Sequence, residues 1–227
     1  MAEMLRVPIG PDYNVAAIAY LAAKRHRAAT TMILGHGAGA GQSSGFMVSF
    51  AEGLAARGID AVTFNFQYAQ DGRRIPDPND RLEACYRAVI DTVRQDQKLR
   101  SNALAIGGKS MGGRIASQVA ASGGDFAGLV LLGYPLHPPA KPSQLRIKHL
   151  PKITTPMLFV QGTRDSFGTP DELRPVLASL STAAELYVIE AGDHSFKLPK
   201  RAGLNQEAVY SAILDKIADW LHNATVR

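Results

Sequence analysis

This chain has little cysteine and no long apolar run, and both absences restrict its class. Its one cysteine, Cys85, excludes an internal disulfide and suits a reducing compartment, so we expect a cytoplasmic protein. Cys85 lies in an amphipathic helical pattern, which predicts a buried structural thiol rather than a nucleophile. No apolar run approaches the roughly 20 residues of a membrane helix. The N-terminus also lacks the charged-then-apolar order of a signal peptide.

Concentrated positive charge and metal-ligand spacing are lacking as well. The net charge is only +5, and Lys and Arg are scattered without the interleaved aromatic residues of a nucleic-acid surface. No His or Cys residues have zinc spacing, and the carboxylates are dispersed. We therefore expect a small-molecule substrate as partner, with no nucleic acid, no membrane, no metal and no cofactor. The sequence leaves the oligomeric state open.

Short apolar runs alternate with helical patterns, which is typical of an α/β protein with a largely parallel sheet covered on both faces. The predicted strands are Val15–Tyr20, Thr31–Leu34, Ala61–Phe66, Ala103–Ile106, Leu129–Leu132, Met157–Val160 and Glu185–Ile189. The predicted helices are Ser44–Arg57, Asp80–Arg94, Met111–Ala121, Pro170–Leu180 and Gln206–His222. Asp80 is the expected N-cap of the second helix, and Gly58 is expected to end the first. With 227 residues, 46% of them hydrophobic, we expect a single domain over 1–227.

One junction between a strand and a helix carries a motif for nucleophilic catalysis. The apolar strand from Ala103 leads into Gly-Lys-Ser-Met-Gly at 108–112, followed by a helical pattern. This fits G-x-S-x-G, the nucleophile elbow, in which glycines permit a turn sharp enough to expose the serine above the sheet. The N-terminus of the following helix stabilises developing negative charge. Ser110 is therefore the predicted nucleophile.

Chain order restricts the partners of this serine, because in the elbow architecture an acid and then a histidine follow it. No Asp or Glu lies between Asp125 and Asp165, and Asp165 comes just after a predicted strand. Beyond it only His194 and His222 remain, and His222 lies at the end of the last helix. Each residue alone could be an ordinary loop residue. Their order and their positions after strands favour Asp165 as the acid and His194 as the base.

The loop after the strand Thr31–Leu34 is rich in glycine, which lets its backbone approach a substrate closely. By the H-G-x pattern, the N–H groups of Ala38 and Met111 form the predicted oxyanion hole. His36 precedes the serine, so we expect it to brace the loop rather than act as the base. The possible substrate-pocket residues are His36, Gly37, Lys109 and Arg164.

These features together resemble the α/β-hydrolase superfamily over essentially the whole chain. The sequences of three segments are similar to those of the KANL3/Tex30-type branch and also to those of dienelactone hydrolases. These segments are Leu34–Gly39, Gly107–Arg114 and Gly162–Asp165. The resemblance implies an α/β-hydrolase fold, with a doubly wound, mostly parallel sheet and helices on both faces. It also implies a serine esterase or acyl hydrolase whose triad is Ser110, Asp165 and His194. Dienelactone hydrolases use a cysteine nucleophile, so their lactone substrate is not carried over.

Other interpretations of the glycine-rich segments are weaker. The loop from Gly35 to Ala40 fits G-x-G-x-x-G/A, but a dinucleotide fold needs an acid at the far end of the next strand, and Asp60 stands at its beginning. A phosphate loop around Ser110 fails because its first glycine would fall at Ala103. A catalytically idle member of the same fold, acting as a binding or scaffold protein, remains the alternative function.

The segment Tyr134–Pro156 contains six prolines, which forbid a long helix. We therefore expect no helical cap, an open and shallow site, and a preference for small soluble acyl substrates. Positive residues gather near this edge of the sheet. They form either an ordinary solubilising surface or an electropositive site entrance that attracts anionic substrates. These residues are Lys109, Lys141, Arg146, Lys148, Lys152 and Arg164.

Overall fold

Eight strands form one sheet in the order β1-β2-β4-β3-β5-β6-β7-β8. The structure is a computed structural model and describes residues 2–100, 102–199 and 205–225. β2 pairs antiparallel with β1 and β4, and the pairs from β4 through β8 are parallel. The strands are β1 (Ala2–Gly10), β2 (Tyr13–Tyr20), β3 (Thr30–Gly35), β4 (Asp60–Phe64), β5 (Ala103–Lys109), β6 (Gly128–Leu132), β7 (Met157–Gly162) and β8 (Ala184–Ile189).

Helices cover both faces of this sheet, as the sequence predicts. They are α1 (Gly45–Ala56), α2 (Gln67–Gln70), α3 (Asn79–Gln95), α4 (Met111–Ala121), α5 (Pro170–Ala178) and α6 (Gln206–Thr225). Two separate apolar cores result. Phe50 of α1 and Ile217 of α6 belong to one core, whereas Tyr86 of α3 and Ile115 of α4 belong to the other. Because parallel strands buried on both faces need apolar side chains throughout, this layering explains their unbroken hydrophobic runs.

The first strand is absent from the sequence prediction. β1 is an edge strand, and Val7 is its one fully buried residue, so its apolar signal is weak. Pro8 is tolerated there because an edge strand has one side without a hydrogen-bonded neighbour. All of the predicted strands and helices occur, with ends that differ by a few residues. β5, for example, continues to Lys109, because its glycines still pair with β6.

The predicted start of α3 is wrong, and the predicted end of α1 is confirmed. Asp80 is not the N-cap; the extended residue before the helix is Pro78, and Asp80 lies in the first turn. A carboxylate in the first turn still favours the helix through its dipole. Gly58 follows α1 with φ +88°, and a Cβ there would lie 2.2 Å from the carbonyl oxygen of His26. Glycine is therefore required at that position.

The proline-containing segment Tyr134–Pro156 folds as a loop. Its one helical element is the 3₁₀ turn Leu150–Lys152. Leu136, Leu150 and Ile153 are buried against the core, which fixes the loop on the body of the protein. In the part of the chain that the structure describes, no separate cap domain covers the carboxyl ends of the strands.

Candidate active site

Ser110 sits at a sharply strained turn between β5 and α4. Its φ and ψ are 52° and −115°, a conformation that non-glycine residues rarely adopt. A Cβ on Gly108 would lie 2.3 Å from the carbonyl oxygen of Gly35, and one on Gly112 would lie 2.1 Å from the same atom. Larger residues would collide with β3 at both positions. The glycine spacing of the motif thus has a direct steric cause.

A chain of hydrogen bonds joins this serine to a histidine and a carboxylate. His194 Nε2 lies 2.8 Å from Ser110 Oγ, and His194 Nδ1 lies 2.8 Å from Asp165 Oδ2. The Asp165 side chain is fully buried, whereas that of His194 is 22% exposed. With Nδ1 donating to the carboxylate, Nε2 of a neutral ring is the acceptor for the serine hydroxyl. The structure thus brings together the three residues that the sequence analysis proposes as nucleophile, base and acid.

The loops after β7 and β8 hold the acid and the histidine in contact. Gly162 packs so closely on the second loop that a Cβ there would lie 2.2 Å from the carbonyl oxygen of Gly192. The N–H of Arg164 donates to the same carbonyl at 2.9 Å. Because adjacent parallel strands end at the same edge, these contacts bring residues 165 and 194 together.

Two residues that the sequence analysis does not identify support the pair. Buried Gln161, in β7, donates from Nε2 to Asp165 Oδ2 at 2.8 Å, and its Oε1 accepts the N–H of Tyr134 at 2.8 Å. The ring of Phe167 packs on that of His194, with centroids 4.3 Å apart and planes inclined by 31°. The N–H of Phe167 also donates to Asp165 Oδ1 at 2.8 Å. Both oxygens of the carboxylate are thus held.

The predicted oxyanion hole consists of two backbone N–H groups, those of Ala38 and Met111. Ala38 follows β3, and Met111 is the first residue of α4, and both line the same cavity as Ser110. Within the described ranges, neither N–H donates to a hydrogen-bond acceptor. A Cβ built on Gly37 would lie 3.7 Å from Ser110 Cβ, so the loop backbone approaches the serine closely. This arrangement can accept an oxyanion.

An open cavity of about 540 Å³ lies above Ser110. This size is typical of small-molecule sites, which span roughly 300–1,000 Å³. Its walls come from the loop after β3, from α1, from the segment before α3, from α4, and from the loops that follow β6, β7 and β8. Charged residues among the lining are Asp77, Lys109, Arg114 and Arg146, together with His194.

Residues 28–222 match the sequence model of the alpha/beta hydrolase domain family. This chain belongs to the α/β-hydrolase family. Solved structures of similar fold agree in architecture. A dienelactone hydrolase from Anabaena variabilis is 18% identical, with a TM-score of 0.75 over 98% of this chain and 97% of that one. A serine hydrolase without a lid from Xanthomonas campestris is 20% identical, with a TM-score of 0.74 over 96% and 94%.

A further relative is Est1E from Butyrivibrio proteoclasticus, which is 16% identical, with a TM-score of 0.71 over 95% of this chain and 99% of that one. At these identities the likeness shows the fold alone. The family match and the sheet topology together establish an α/β-hydrolase fold, and the described residues form no separate cap domain. They support a hydrolase, in agreement with the coarser expectation from the sequence.

Of the expected pocket residues of this α/β hydrolase, Gly37 and Lys109 line the cavity, whereas His36 and Arg164 do not. His36 is fully buried; Nδ1 contacts the carbonyl of Gly37 at 2.9 Å, and Nε2 accepts the N–H of Phe66 at 3.2 Å. Its ring braces the loop after β3. Arg164 turns away from the cavity, and its guanidinium contacts the carbonyl of Ala191 at 3.4 Å. The structure therefore places these two residues outside the wall of this cavity.

Lys109 is the most unusual residue of the cavity wall. Its Nζ is buried and has no hydrogen-bond partner among the described residues. It lies 6.0 Å from the ring centroid of Phe46 and 5.8 Å from that of Phe196. Burial lowers the pKa of Lys109 to about 8, and the charges of Asp165 and Asp193 partly oppose this shift. An ammonium group without a close partner here destabilises the fold while adding positive charge beside Ser110.

A second serine–histidine pair involves Ser117, which lies farther along α4. Ser117 Oγ is 2.7 Å from His149 Nε2, and Ser117 also donates to the carbonyl of Arg114. Ser117 is fully buried, and neither residue of the pair lines the cavity. Burial, followed by the charge of Arg114, lowers the pKa of His149 to about 4. No carboxylate in the described ranges lies against His149, so this pair lacks the third member of a triad.

Two further observations concern the whole described chain. None of its helices combines the length and the apolar character needed to cross a membrane. Within the same residues, no group of three or more His, Cys, Asp or Glu side chains is placed to hold a metal ion.

Proposed function

We propose that this protein is a serine hydrolase that cleaves a small soluble ester or a related acyl substrate through an acyl-enzyme intermediate. The observation that carries the proposal is the relay from Asp165 through His194 to Ser110, with the serine exposed to an open cavity. Nucleophile, base and orienting acid each stand within hydrogen-bond distance of the next, as acyl transfer requires.

In the first half of the reaction, His194 Nε2 takes the proton of Ser110 while Oγ attacks the carbonyl carbon of the substrate. The carbonyl oxygen becomes negative and accepts hydrogen bonds from the N–H groups of Ala38 and Met111. Asp165 stabilises the imidazolium that forms. His194 then donates its proton to the departing group, which leaves an acyl ester on Ser110.

In the second half, the same groups act on water. His194 removes a proton from a water molecule, whose oxygen attacks the acyl ester. The tetrahedral intermediate collapses as the imidazolium returns a proton to Ser110 Oγ and the carboxylic acid departs. Because no cap formed by the described residues covers the cavity, water reaches the acyl-enzyme freely, and hydrolysis is favoured over transfer to alcohols.

Small soluble substrates are supported by the dimensions of the site. The loop Tyr134–Pro156 adds one cavity wall, through Pro135 and Arg146, but builds no helical cover for a long acyl chain. Two solved structures of similar fold agree with a small soluble substrate. One is the serine hydrolase without a lid, and the other is a structure of Est1E with bound ferulic acid, a small molecule.

The proposal also covers the branch of the family, the domain organisation and the cellular location of the protein. The segments Leu34–Gly39 and Gly107–Arg114 support membership of the KANL3/Tex30-type branch. The one sheet shared by all described strands supports a single domain over 1–227. The lone cysteine, Cys85, is buried with a pKa raised to about 12 by burial, which supports a structural thiol in a reducing, cytoplasmic setting.

Hydrolysis of p-nitrophenyl acetate and butyrate tests the proposal. We expect turnover by the unaltered protein and its loss in Ser110→Ala, since the alanine keeps the fold but lacks the nucleophile. Ser117→Ala is the matched control, because it removes the serine of the second pair on the same helix, and its turnover should persist. A folded protein that hydrolyses no ester or thioester would favour the idle binding protein instead.

A further inference from the structure

Two guanidinium groups line the cavity without a carboxylate partner. Arg114 follows Ser110 by one turn of α4, and Arg146 comes from the loop after β6. Arg114 donates to the side-chain amide oxygens of Asn79 at 3.0 Å and Gln118 at 3.4 Å. Arg146 donates to the carbonyl of Pro135 at 3.3 Å. All of these acceptors are neutral, and within the described residues neither arginine lies within 4.0 Å of a carboxylate oxygen.

The two positive charges act on each other across the cavity. The pKa of Arg114 is held below its usual value, first by burial and second by the charge of Arg146. Both side chains are half-buried, so water screens them only in part. Holding two like charges at one cavity without an anion is unfavourable, and an anion placed between them relieves the repulsion.

Nearby carboxylates are already engaged elsewhere. Asp77, which also lines the cavity, accepts the N–H of Tyr68 at 2.9 Å and pairs with Arg73 at 2.8 Å. Glu83, on α3, pairs with Arg87 at 3.9 Å, and its charge raises the pKa of Arg114 less than the charge of Arg146 lowers it. The cavity therefore keeps an excess of positive charge, to which the buried ammonium of Lys109 contributes.

We propose that Arg114 and Arg146 form an anion subsite beside Ser110, which binds a carboxylate or phosphate group of the acyl substrate. The inference rests on the proposed function and names its substrate class. Guanidinium groups suit planar carboxylates and phosphates because their donors are fixed in a fork. The four residues from Ser110 to Arg114 rise about 6 Å along the helix axis, so we expect the anion to lie a few atoms from the scissile carbonyl. Half-esters of short dicarboxylic acids, from succinate to adipate, have this spacing.

The test compares two esters with the same six-carbon diacid chain and the same leaving group, mono-p-nitrophenyl adipate and its methyl ester, after subtraction of spontaneous hydrolysis. We expect kcat/KM to be about 10- to 100-fold higher for the charged ester, because a hydrogen bond to a charged group contributes about 1.5–3 kcal/mol. Arg146→Gln and Arg114→Gln should each reduce the ratio of kcat/KM for the charged ester to kcat/KM for the methyl ester at least several-fold. Two separate variants guard against misfolding of either one.

Lys148→Gln is the matched control, since it removes one positive charge from an exposed residue of the same loop that does not line the cavity. The preference should persist in this variant and at high salt, because exposed charges are screened and a partly buried contact is screened less. An equal loss of this preference in Lys148→Gln would mean that the general positive charge of the surface, and not a subsite, causes the preference. Equal rates for the two esters in the unaltered protein would also overturn the subsite.

Binding to Ser110→Ala separates this proposal from the proposed function. Calorimetric titration with pentanoate and with butyl phosphate needs no turnover, and the tighter ligand identifies the anion. Binding that disappears in the double variant Ser110→Ala, Arg146→Gln supports the subsite even if no ester is hydrolysed. Hydrolysis of neutral esters without any binding of either anion would leave the proposed function standing and reject the subsite.

Discussion

Gln161 Nε2 donates a hydrogen bond to Asp165 Oδ2 across 2.8 Å, and both side chains are buried. The same oxygen lies 2.8 Å from Nδ1 of His194. The amide and the imidazole therefore share one carboxylate oxygen, and the amide helps to fix its position. Gln161 is itself held by the backbone of Tyr134 and by the carbonyl of Gly168. The orientation of the histidine thus depends on a residue that does not touch the substrate.

Replacing Gln161 with Met should lower kcat more than it raises KM. The variant keeps approximate volume and removes a hydrogen bond to a charged group, which contributes about 1.5–3 kcal/mol, so we expect a loss of roughly 10- to 100-fold. Steady-state kinetics on p-nitrophenyl butyrate measure both constants. An unchanged kcat in a folded variant would show that Asp165 needs no support from this amide.

Asp165→Asn should lower turnover by orders of magnitude, roughly 10³- to 10⁴-fold, because the amide cannot hold His194 in the required tautomer. Asp193→Asn is the matched control. Asp193 Oδ1 accepts the N–H groups of Ser195 and Lys197, and an asparagine oxygen can accept the same bonds. We expect the control to stay within a few-fold of the unaltered protein, and equal losses would contradict the assignment of the acid.

Lys109→Met should stabilise the protein at neutral pH. Burial lowers the pKa of Lys109 from 10.5 to about 8, so the folded state holds its proton less well than the unfolded state does. This destabilisation is complete below about pH 8 and is lost as the pH rises towards 10.5. At 1.36 kcal/mol per pKa unit, the variant should gain up to about 3 kcal/mol at pH 7.

Urea unfolding of both proteins at pH 7 and at pH 9.5 checks this prediction. Other titrating groups affect the two proteins alike, so the difference between them reports on residue 109. The difference in free energy of unfolding should shrink at the higher pH. A difference that is constant or grows with pH would mean that the ammonium group is stabilised in the folded state by a partner.

Turnover should fall as the acyl chain of the substrate lengthens, without a jump when the substrate aggregates. The reason is the loop Tyr134–Pro156, whose only helical element is the turn Leu150–Lys152, so it offers no cover for a long chain. A series of p-nitrophenyl esters from acetate to palmitate, measured below and above the solubility limit, tests this dependence. Preference for long chains, or activation at a lipid–water interface, would be the opposite result.

Steric requirements, chain order and the pattern of apolar residues explain which parts of the fold and of the site can be predicted from the sequence. The glycines around Ser110 are required by a steric contact with Gly35, which any sequence with this turn must satisfy. Asp165 and His194 are predicted from chain order, because no acid lies between Asp125 and Asp165 and only two histidines follow Asp165. Parallel strands that are buried on both faces have unbroken apolar runs, and these runs are visible without the structure.

Side-chain direction and long-range contacts explain what the sequence does not predict. Arg146 and Arg164 both follow strands at the same edge of the sheet, yet only Arg146 points into the cavity. Gln161 has one visible signal, a polar residue near the end of a buried strand, but its partner depends on how two loops pack. β1 gives a weak apolar signal, because at the edge of the sheet it buries little beyond Val7.

The most direct test of the account is the position of the covalent bond. The protein is treated with a fluorophosphonate, digested, and mapped by mass spectrometry. The account predicts one modified site, Ser110, with no modification in Ser110→Ala and slow modification in His194→Ala, where the base is missing. A phosphonate on another residue, such as Ser117, or no modification of a correctly folded protein, would contradict it.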